Sequence, residues 1–398
     1  MRNSVLTSTL ALMLGCLFAF PQISGAAQPA SESTQGTVAS LPAEVQKSIV
    51  NQLVKLTANE GRPGDYFGFS AAMSGNTVVV GAPYASVGAN THQGAAYIFV
   101  KPATGWANMT ETAKLIPSDA TANTYFGTAV AISGNIVVVE AGNTGGVPVY
   151  VFVKPPSGWA SITESAKLTS PPNFLGGGAN PSVATDGNTV VLGVPWTPYQ
   201  QQEFEGMVYV YVEPVGGWTG MNSPTARLVA SDGLGEMFFG TSVAISGNTV
   251  VTCASASPTT SSTAYVYVKP ASGWAGTVTE TARLTASNSD GIHSVSIAGN
   301  TVAAGAPGSI VGGNSAQGAV YVFVKPASGW VSMNETAKLT ASDGAARDSL
   351  GISVTIAASG NEVASGAYAR NADTGAVYAF QAINRLGHHY SERRVHRF

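Results

Sequence analysis

One short pattern recurs six times along this chain and constrains its fold more than any other feature. In its clearest copy, residues 239–251, two runs rich in Val, Ile and Ala flank the pair Gly247-Asn248. Glycine at the first position of a two-residue turn accepts a positive φ without steric cost, so the pattern predicts a tight β-hairpin. The Gly-Asn pair recurs at residues 75–76, 134–135, 187–188, 299–300 and 360–361.

The spacing of these hairpins predicts the size of the folding unit. Each step from one Asn of the pattern to the next is similar in length. A period of roughly 50–60 residues is too long for a helical hairpin and fits a four-stranded sheet with its loops. Two more strand patterns follow each of the first five hairpins. One alternates with aromatic residues, as in residues 94–100, and the other contains Ala-Lys-Leu or Ala-Arg-Leu, as in residues 113–115.

The sixth copy has three of these strands, but no Ala-Lys-Leu segment follows it. A matching segment stands instead before the first hairpin, at residues 53–57. An N-terminal strand that completes the last sheet closes a ring of sheets and removes an exposed edge. We therefore predict an all-β fold, a six-bladed β-propeller of four-stranded antiparallel blades that an N-terminal strand closes, with seven blades as the alternative.

Several of the repeated phrases point to a known family. Phe67-Gly68, Phe126-Gly127 and Phe239-Gly240 open their repeats, and Gly81-Ala82-Pro83 or Gly305-Ala306-Pro307 follows the hairpin. These phrases resemble the FG-GAP repeats of integrin α-type β-propellers, over roughly residues 52 to 381. The resemblance implies the propeller fold and a binding module, and it places adhesion among the functions to expect.

Two features depart from that family. Its best-known propellers have seven blades, whereas six repeats are counted here. Its calcium-binding members carry an Asp-rich loop between the first two strands, whereas this chain has only Ser-Gly-Asn or Asp-Gly-Asn there. Such a short turn cannot surround a cation that takes six or more oxygen ligands. We therefore predict no bound metal and no other cofactor.

Composition changes along the chain predict four segments. Residues 1–27 have the apolar run and small-residue end of a secretory signal peptide. Residues 28–50 are a linker rich in Ala, Ser, Gln and Thr, residues 51–384 form the propeller, and residues 385–398 are a basic tail expected to be disordered. A signal peptide predicts a secreted, extracellular or cell-envelope protein.

Charge narrows the class of partner. The formal net charge of the chain is −3, and several of its arginines lie in the basic tail. A mildly acidic body does not attract phosphate backbones, so nucleic-acid binding is not expected. Beyond the signal peptide, no segment is apolar enough to span a membrane. The predicted partner is therefore an extracellular protein or a carbohydrate.

The loops of a propeller lie on two opposite faces, and here they differ in character. The Gly-Asn turns share one face with loops that carry a Trp at equivalent points, at residues 106, 159, 218, 274 and 330, so these Trp residues are predicted to pack against the blades. The opposite loops vary, as recognition loops on a rigid scaffold do. The third repeat is the outlier, and we predict a ligand-binding site there at Trp196, Tyr199, Gln201 and Phe204. The alternative is that these aromatic residues fold back over the adjacent blade.

An enzyme is the second possibility. Two carboxylates on the variable face could act as acid and base on a polysaccharide, among Asp65, Asp119, Asp232, Glu236, Asp290, Asp343, Asp348 and Asp373. Most of them occupy turn positions, where Asp caps its own backbone. The sequence contains no nucleophile elbow, metal-ligand spacing or phosphate loop. We therefore predict a non-catalytic binding module with no catalytic residues, with a polysaccharide hydrolase or lyase and a structural envelope protein as alternatives.

Overall fold

The computed structural model describes residues 54–142, 148–169, 182–195, 206–232, 238–254, 263–288, 290–370, 375–384 and 388–395. These residues form six predominantly antiparallel sheets arranged in a ring. The predicted six-bladed β-propeller is therefore confirmed, and six rather than seven blades are present in the described part of the chain.

The first three sheets contain the following strands. After β1 (Leu56–Thr57), the first sheet has β2 (Ser70–Ser74), β3 (Thr77–Ala82), β4 (Ala95–Val100) and, beyond the short loop strand β5 (Met109–Thr110), β6 (Ala113–Leu115). The second has β7 (Phe126–Ser133), β8 (Ile136–Ala141), β9 (Val149–Val153) and β10 (Ala166–Leu168). The third has β11 (Ser182–Thr185), β12 (Thr189–Val194), β13 (Met207–Val212) and, beyond the loop strand β14 (Gly220–Asn222), β15 (Ala226–Val229).

The last three sheets repeat this order. The fourth has β16 (Phe239–Ser246), β17 (Thr249–Ala254), β18 (Thr263–Val268) and, beyond the loop strand β19 (Gly276–Thr279), β20 (Ala282–Thr285). The fifth has β21 (Ser294–Ala298), β22 (Thr301–Ala306), β23 (Ala319–Val324) and, beyond the loop strand β24 (Met333–Asn334), β25 (Ala337–Leu339). The sixth has β26 (Ser353–Ile356), β27 (Glu362–Ala367), β28 (Ala376–Asn384) and β29 (His388–Val395).

In four of the six sheets, the hairpin that joins the first two strands has the tight turn that the Gly-Asn pairs predict, whereas the third and sixth sheets have longer connections, residues 186–188 and 357–361. Gly75, Gly134, Gly247 and Gly299 have φ between 54° and 57°. The second strand of each of the first five sheets is buried along its whole length. These strands are mostly apolar because both of their faces are covered. In the second to fifth sheets a neighbouring sheet covers each face, whereas in the first sheet the N-terminal segment and Phe67 pack on the face turned away from the second sheet.

The hydrophobic core is divided among the junctions between sheets. Five clusters of buried side chains each join two consecutive sheets, from the first and second to the fifth and sixth. The Phe of the Phe-Gly pair belongs to such a cluster. Phe126 is fully buried, and its ring lies 5.5 Å from that of Tyr150 in an edge-to-face arrangement. Phe239 meets Tyr265 in the same way at 5.4 Å.

The Trp residues at equivalent loop positions serve this packing, as the sequence predicts. Trp159, Trp218, Trp274 and Trp330 are buried in the clusters between sheets, and Trp106 packs against the first sheet. Trp218 also donates its indole N–H to the carbonyl of Gly187 at 3.2 Å. These rings are therefore part of the scaffold and do not form a row of sugar-stacking sites.

The predicted closure of the ring by an N-terminal strand is wrong. The fourth strand of the last sheet is β29, which pairs antiparallel with β28 and comes from the tail that was expected to be disordered. The strand β1 pairs parallel with β5 instead. Because β29 follows β28 closely in the sequence, little chain entropy is lost when it pairs with the open edge of β28.

The N-terminal segment is held on the outside of the first sheet by polar contacts. The backbone N–H of Asn59 donates to Glu111 at 2.8 Å, and Lys114 pairs with Glu60 at 3.6 Å. In the same way, β14, β19 and β24 each pair parallel with the outer strand of the preceding sheet. β1 therefore lies beside the loop strand β5 as the outer strands lie beside the loop strands of the next sheets. It does not pair with β28 of the sixth sheet.

A polar contact between a Tyr, an Asp and a Lys or Arg also joins consecutive sheets. Tyr150 donates its hydroxyl to Asp119, in the loop that leaves the first sheet, at 2.9 Å, and Lys167 pairs with the same carboxylate. The arrangement recurs as Tyr265 and Arg283 with Asp232, Tyr321 and Lys338 with Asp290, and Tyr378 and Arg370 with Asp343. These carboxylates hold the outer edges of neighbouring sheets together.

Asp119 is expected to stabilise the fold in a pH-dependent way. Burial acts to raise its pKa, but hydrogen bonds from Lys167 and Tyr150 and the charge of Lys167 outweigh burial and lower the pKa. A depressed folded-state pKa stabilises the protein above the unfolded-state value, and this contribution is lost as the pH falls through the folded-state pKa. Asp119→Asn should lower the free energy of unfolding by about 0.5–1 kcal/mol at pH 7, since the group is partly exposed and screened.

Urea unfolding at pH 7 and at pH 3 measures this effect. The difference between wild type and Asp119→Asn should shrink as the pH falls below the ordinary aspartate value of 3.8. Glu213→Gln is the control, because Glu213 makes no side-chain hydrogen bond or ion pair among the described residues. A difference that is equal at both pH values would contradict the assignment.

Candidate functional site

Four aromatic side chains meet on the variable loop face, where the first sheet adjoins the second. The rings of Tyr66 and Tyr84 lie 4.8 Å apart, and Tyr84 lies 5.5 Å from His92 and 5.3 Å from Tyr125. His92 stacks on Tyr125 with ring centroids 6.0 Å apart. We call these four residues the aromatic patch. They come from three loops that the fold brings together, with Tyr84 and His92 in the same one.

The aromatic patch is accessible to solvent. Tyr66 is 40% exposed, His92 is exposed, and Tyr84 and Tyr125 are half-buried. Aromatic side chains that remain exposed on a rigid loop face offer a flat apolar surface. The neighbouring Asn123, within 3.5 Å of the Tyr125 hydroxyl, adds amide hydrogen-bonding groups beside that surface. The patch therefore combines ring faces with polar edges.

The backbone beneath the patch has an uncommon conformation. Tyr66, His92, Asn123 and Tyr125 have φ of 51°, 51°, 61° and 52°, in the left-handed region that non-glycine residues rarely adopt. Backbone hydrogen bonds hold two of these turns, from Asn123 to the carbonyl of Thr91 at 2.9 Å and from Tyr125 to that of His92 at 3.0 Å. The loops are therefore fixed before any ligand arrives.

The same backbone is present where the fifth sheet adjoins the sixth, but without the aromatic side chains. Ala316, Arg347 and Ser349 have φ of 51°, 69° and 59°, and Arg347 and Ser349 donate to Ser315 and Ala316 at 2.8 and 3.0 Å. Aligned on the Gly-Ala-Pro phrases, Gly308, Ala316 and Ser349 replace Tyr84, His92 and Tyr125. Because the loop forms without them, the aromatic residues of the patch are not required by the fold.

The predicted site at Trp196, Tyr199, Gln201 and Phe204 lies outside the described residues. Its sequence nevertheless corresponds to the patch. Pro83, Pro195 and Pro307 recur at equal intervals along the chain, and each is followed at the same distance by a glycine, at 94, 206 and 318. Trp196 therefore aligns with Tyr84, and Phe204 aligns with His92. The sequence signal that could have identified the aromatic patch is this alignment of loops of equal length.

The first sheet carries a polar cleft, and three of its lining residues follow Tyr84 closely in the sequence. Its volume is about 590 Å³, and it is lined by Asn59, Glu60, Gly61, Arg62, Ser86, Val87, Gly88 and Lys114. Lys114 and Glu60 form an ion pair in it, and the ammonium of Lys114 also lies 5.7 Å from the centre of the Tyr97 ring. The cleft offers charged and amide groups on the first sheet.

The carboxylates that were considered for catalysis are engaged in the fold. Asp119, Asp232, Asp290 and Asp343 form the contacts between sheets described above. Asp65 accepts from the backbone N–H of Arg62 at 2.8 Å, and Asp348 accepts from that of Ala345 at 2.7 Å and pairs with Arg370. Glu236 and Asp373 lie outside the described residues. For the six described carboxylates, these contacts explain why an acidic residue is present at each position.

Glu140 is the one described carboxylate whose buried oxygens have no hydrogen-bond partner. It lies in β8, opposite Ala129, and its exposed fraction is 0%. Burial raises its pKa well above the ordinary value. Perturbed groups of this kind often mark active sites. A fully buried carboxyl cannot reach a bound substrate, however, so Glu140 does not support an enzymatic site in this conformation.

Metal sites and membrane-spanning helices also bear on function. No three His, Cys, Asp or Glu side chains of the described residues are grouped so that they could hold a metal ion. No helix in the same part of the chain has the length and apolar character needed to cross a membrane.

The repeats match a known family. The model of the FG-GAP repeat matches at residues 50–99, 109–152, 223–267 and 333–380, within the ring of sheets described above. The chain is an FG-GAP repeat protein. No curated protein matches it significantly.

Solved structures that resemble the FG-GAP propeller have diverse descriptions. A putative 6-phosphogluconolactonase from Bacteroides uniformis is 12% identical, with a TM-score of 0.48 over 80% of this chain and 81% of that one. The WD40 domain of Toxoplasma gondii coronin is 11% identical, with a TM-score of 0.48 over 82% and 70%. Hydrazine synthase from Kuenenia stuttgartiensis is 15% identical, with a TM-score of 0.46 over 82% and 78%. At TM-scores below 0.5, these likenesses carry no argument about function.

The FG-GAP propeller should tolerate loss of the aromatic patch. Replacing Tyr84, His92 and Tyr125 with Gly, Ala and Ser, the residues that the fifth and sixth sheets carry, should lower the free energy of unfolding by about 1–2 kcal/mol, since a few ring contacts are lost. Trp330→Ala should lower it by about 3–5 kcal/mol, because that ring is buried between two sheets. Chemical unfolding monitored by circular dichroism checks both values, and a triple variant as unstable as Trp330→Ala would show that the patch is structural.

Glu140→Gln should stabilise the propeller at neutral pH. A carboxyl with a raised folded-state pKa is protonated in the fold and ionises on unfolding, so stability falls as the pH rises above the unfolded-state value. Gln does not ionise, and the variant should gain on the order of 1–3 kcal/mol at pH 8. The gain should disappear near pH 4. Thermal unfolding of both proteins across this range measures it, and a variant that is less stable at pH 8 would contradict the prediction.

Proposed function

We propose that this FG-GAP propeller is a non-catalytic binding module that recognises a glycan, free or carried on a macromolecule, through its variable loop face. The observation that carries the proposal is the aromatic patch of Tyr66, Tyr84, His92 and Tyr125. Its side chains are absent from the same backbone between the fifth and sixth sheets, so selection for folding alone does not account for them.

The chemistry of the patch favours a sugar. Carbohydrate rings present apolar C–H faces edged by hydroxyl groups, and an aromatic surface with nearby amide and hydroxyl groups complements both. Tyr125 and Asn123 provide such groups at the edge of the patch. The loops are held by backbone hydrogen bonds, so little conformational entropy is lost on binding.

Two observations argue against the alternative of a polysaccharide hydrolase or lyase. Six of the eight carboxylates considered for catalysis bind Tyr, Lys, Arg or backbone groups of the scaffold. Cys253 is fully buried, and burial raises the pKa of its thiol to about 12, so it is not a nucleophile at neutral pH. A structural envelope protein without a specific ligand is the remaining alternative, and it gives no reason for an exposed aromatic patch.

We further propose that the protein is exported. The apolar run and small residues within residues 1–27 support a signal peptide, and the resemblance to FG-GAP propellers supports a role in adhesion. N-terminal sequencing of the mature protein, recovered from the medium or the cell envelope, tests export. Protein that retains Met1 inside the cell would contradict it.

Binding should depend on the aromatic patch. The wild-type protein is applied to a glycan array, and the strongest oligosaccharide is then titrated by calorimetry. Tyr84→Gly with Tyr125→Ser should weaken binding at least tenfold, because each sugar face stacked on a ring contributes on the order of 1 kcal/mol or more. The control replaces the exposed Ile310 and Val331, which lie outside the patch, with Ala.

The outcomes separate the candidate functions. Loss of binding in the patch variant and not in the control supports the proposal. Unchanged binding in the patch variant rejects the site, and no glycan bound by any variant favours the structural alternative. Shortening of an oligosaccharide during the titration, detected by mass spectrometry, would favour the enzyme.

A further inference from the structure

One close contact between sheets occurs three times in the described structure. Ser70 in the first sheet donates its hydroxyl to the backbone carbonyl of Gly127 in the second, at 2.8 Å. Ser182 donates to Gly240 at 3.0 Å, from the third sheet to the fourth. Ser294 donates to Gly351 at 2.9 Å, from the fifth sheet to the sixth. In each case the acceptor is the glycine of a Phe-Gly or Leu-Gly pair.

A second glycine makes each of these contacts possible. Gly81 lies directly opposite Ser70 in its sheet, and a Cβ built on Gly81 would come within 2.0 Å of the Gly127 oxygen. Gly193 and Gly305, opposite Ser182 and Ser294, would meet the corresponding oxygens at 2.1 Å. We call the paired Ser and Gly the donor half of a latch, and the Gly of the following sheet its acceptor half.

The sixth sheet carries a donor half that has no acceptor. Ser353 lies opposite Gly366, as Ser70 lies opposite Gly81. The Ser353 hydroxyl oxygen is buried and has no hydrogen-bond partner in the described structure. The nearest atoms to a Cβ built on Gly366 belong to its own sheet, the Ser353 oxygen at 2.8 Å and a side-chain carbon of Ile352 at 3.6 Å. A buried hydroxyl left unpaired is unfavourable, so this face is suited to a partner that is not in place.

The first sheet carries the matching acceptor half. Gly68, in the pair Phe67-Gly68, has φ of 94°, close to the 100°, 95° and 97° of Gly127, Gly240 and Gly351. Those three glycines lie against the backbone of the preceding sheet, whereas no atom of the described residues lies within 4 Å of a Cβ built on Gly68. None of the apolar clusters of the described residues joins the sixth sheet to the first.

We propose that the junction between the sixth and first sheets is a latch that closes when Ser353 donates its hydroxyl to the carbonyl of Gly68. Both halves lie on the same chain, and each has the geometry of its three counterparts. Closing pairs the buried hydroxyl and brings the sixth sheet against the first, as consecutive sheets meet at the other five junctions. The structure described here shows the latch open. Because Gly68 follows Tyr66 closely in the sequence, closing also moves one edge of the aromatic patch.

Matched substitutions test the latch through stability. Ser294→Ala breaks a hydrogen bond that is present, and it should lower the melting temperature by several degrees. If the sixth junction closes in solution, Ser353→Ala should lower it to a similar extent. If this junction stays open, Ser353→Ala removes an unpaired buried hydroxyl and should leave the melting temperature unchanged or raise it. The second result would overturn the proposal.

A distance measurement tests closure directly. Nitroxide labels are placed at the exposed turn residues Asn76 and Asn361, in a Cys16→Ser, Cys253→Ser background, and the distance is measured by double electron–electron resonance. Labels at Asn300 and Asn361 span a closed junction and give the reference distance. A closed population between residues 76 and 361 that Gly366→Ala abolishes supports the latch, because the added Cβ blocks the carbonyl.

Two results of the same measurement reject the proposal. One is a long distance that Gly366→Ala does not change. The other is a closed population that grows with protein concentration, which would show that a second copy supplies the acceptor half. Gly305→Ala serves as the control for the effect of the added Cβ at a junction that is already closed.

Discussion

The fold depends on the close approach of backbone to backbone where one sheet meets the next. At alternate junctions, a carbonyl of the following sheet approaches so closely that a single Cβ at Gly81, Gly193 or Gly305 would collide with it. Glycine is therefore required there by sterics and not by turn geometry. Because these three glycines are equally spaced along the sequence, the chain is a threefold repeat of paired sheets. Within each pair, the hydroxyl of a serine completes the contact.

This scaffold explains why the two loop faces differ. The inner contacts, the buried Trp residues and the Tyr–Asp–Lys or Tyr–Asp–Arg groups hold the sheets at their edges and at one face. The loops on the other face keep their backbone in the left-handed region with different side chains, His92 in one copy and Ala316 in another. Since the backbone hydrogen bonds suffice to form the loop, its side chains are free to serve recognition.

Local patterns predicted most of the fold because each hairpin is specified within one short segment of sequence. The Gly-Asn hairpins and the packing of the Trp loops could be predicted in this way, and the six sheets followed from their period. The strand that completes the last sheet could not be predicted in this way. Residues 53–57 match the outer-strand pattern, whereas His388–Val395 is polar and does not, yet β29 pairs with β28, which it follows closely along the chain. Closeness in the sequence therefore favours β29 as the partner of β28, although residues 53–57 match the outer-strand pattern better.

The candidate site was hidden for a different reason. The residues of the aromatic patch are spread from Tyr66 to Tyr125, and Tyr125 joins the other three only when the second sheet adjoins the first. The sequence instead predicted a site at Trp196 and Phe204, because several aromatic residues cluster within that one segment. In the sequence, members of both sets follow a Pro at equal intervals and precede a glycine at the same distance, so two pairs of sheets carry different aromatic residues at corresponding positions. In this chain, sheet junctions therefore determine how the ring is held, and under the proposed function they also determine where a glycan binds.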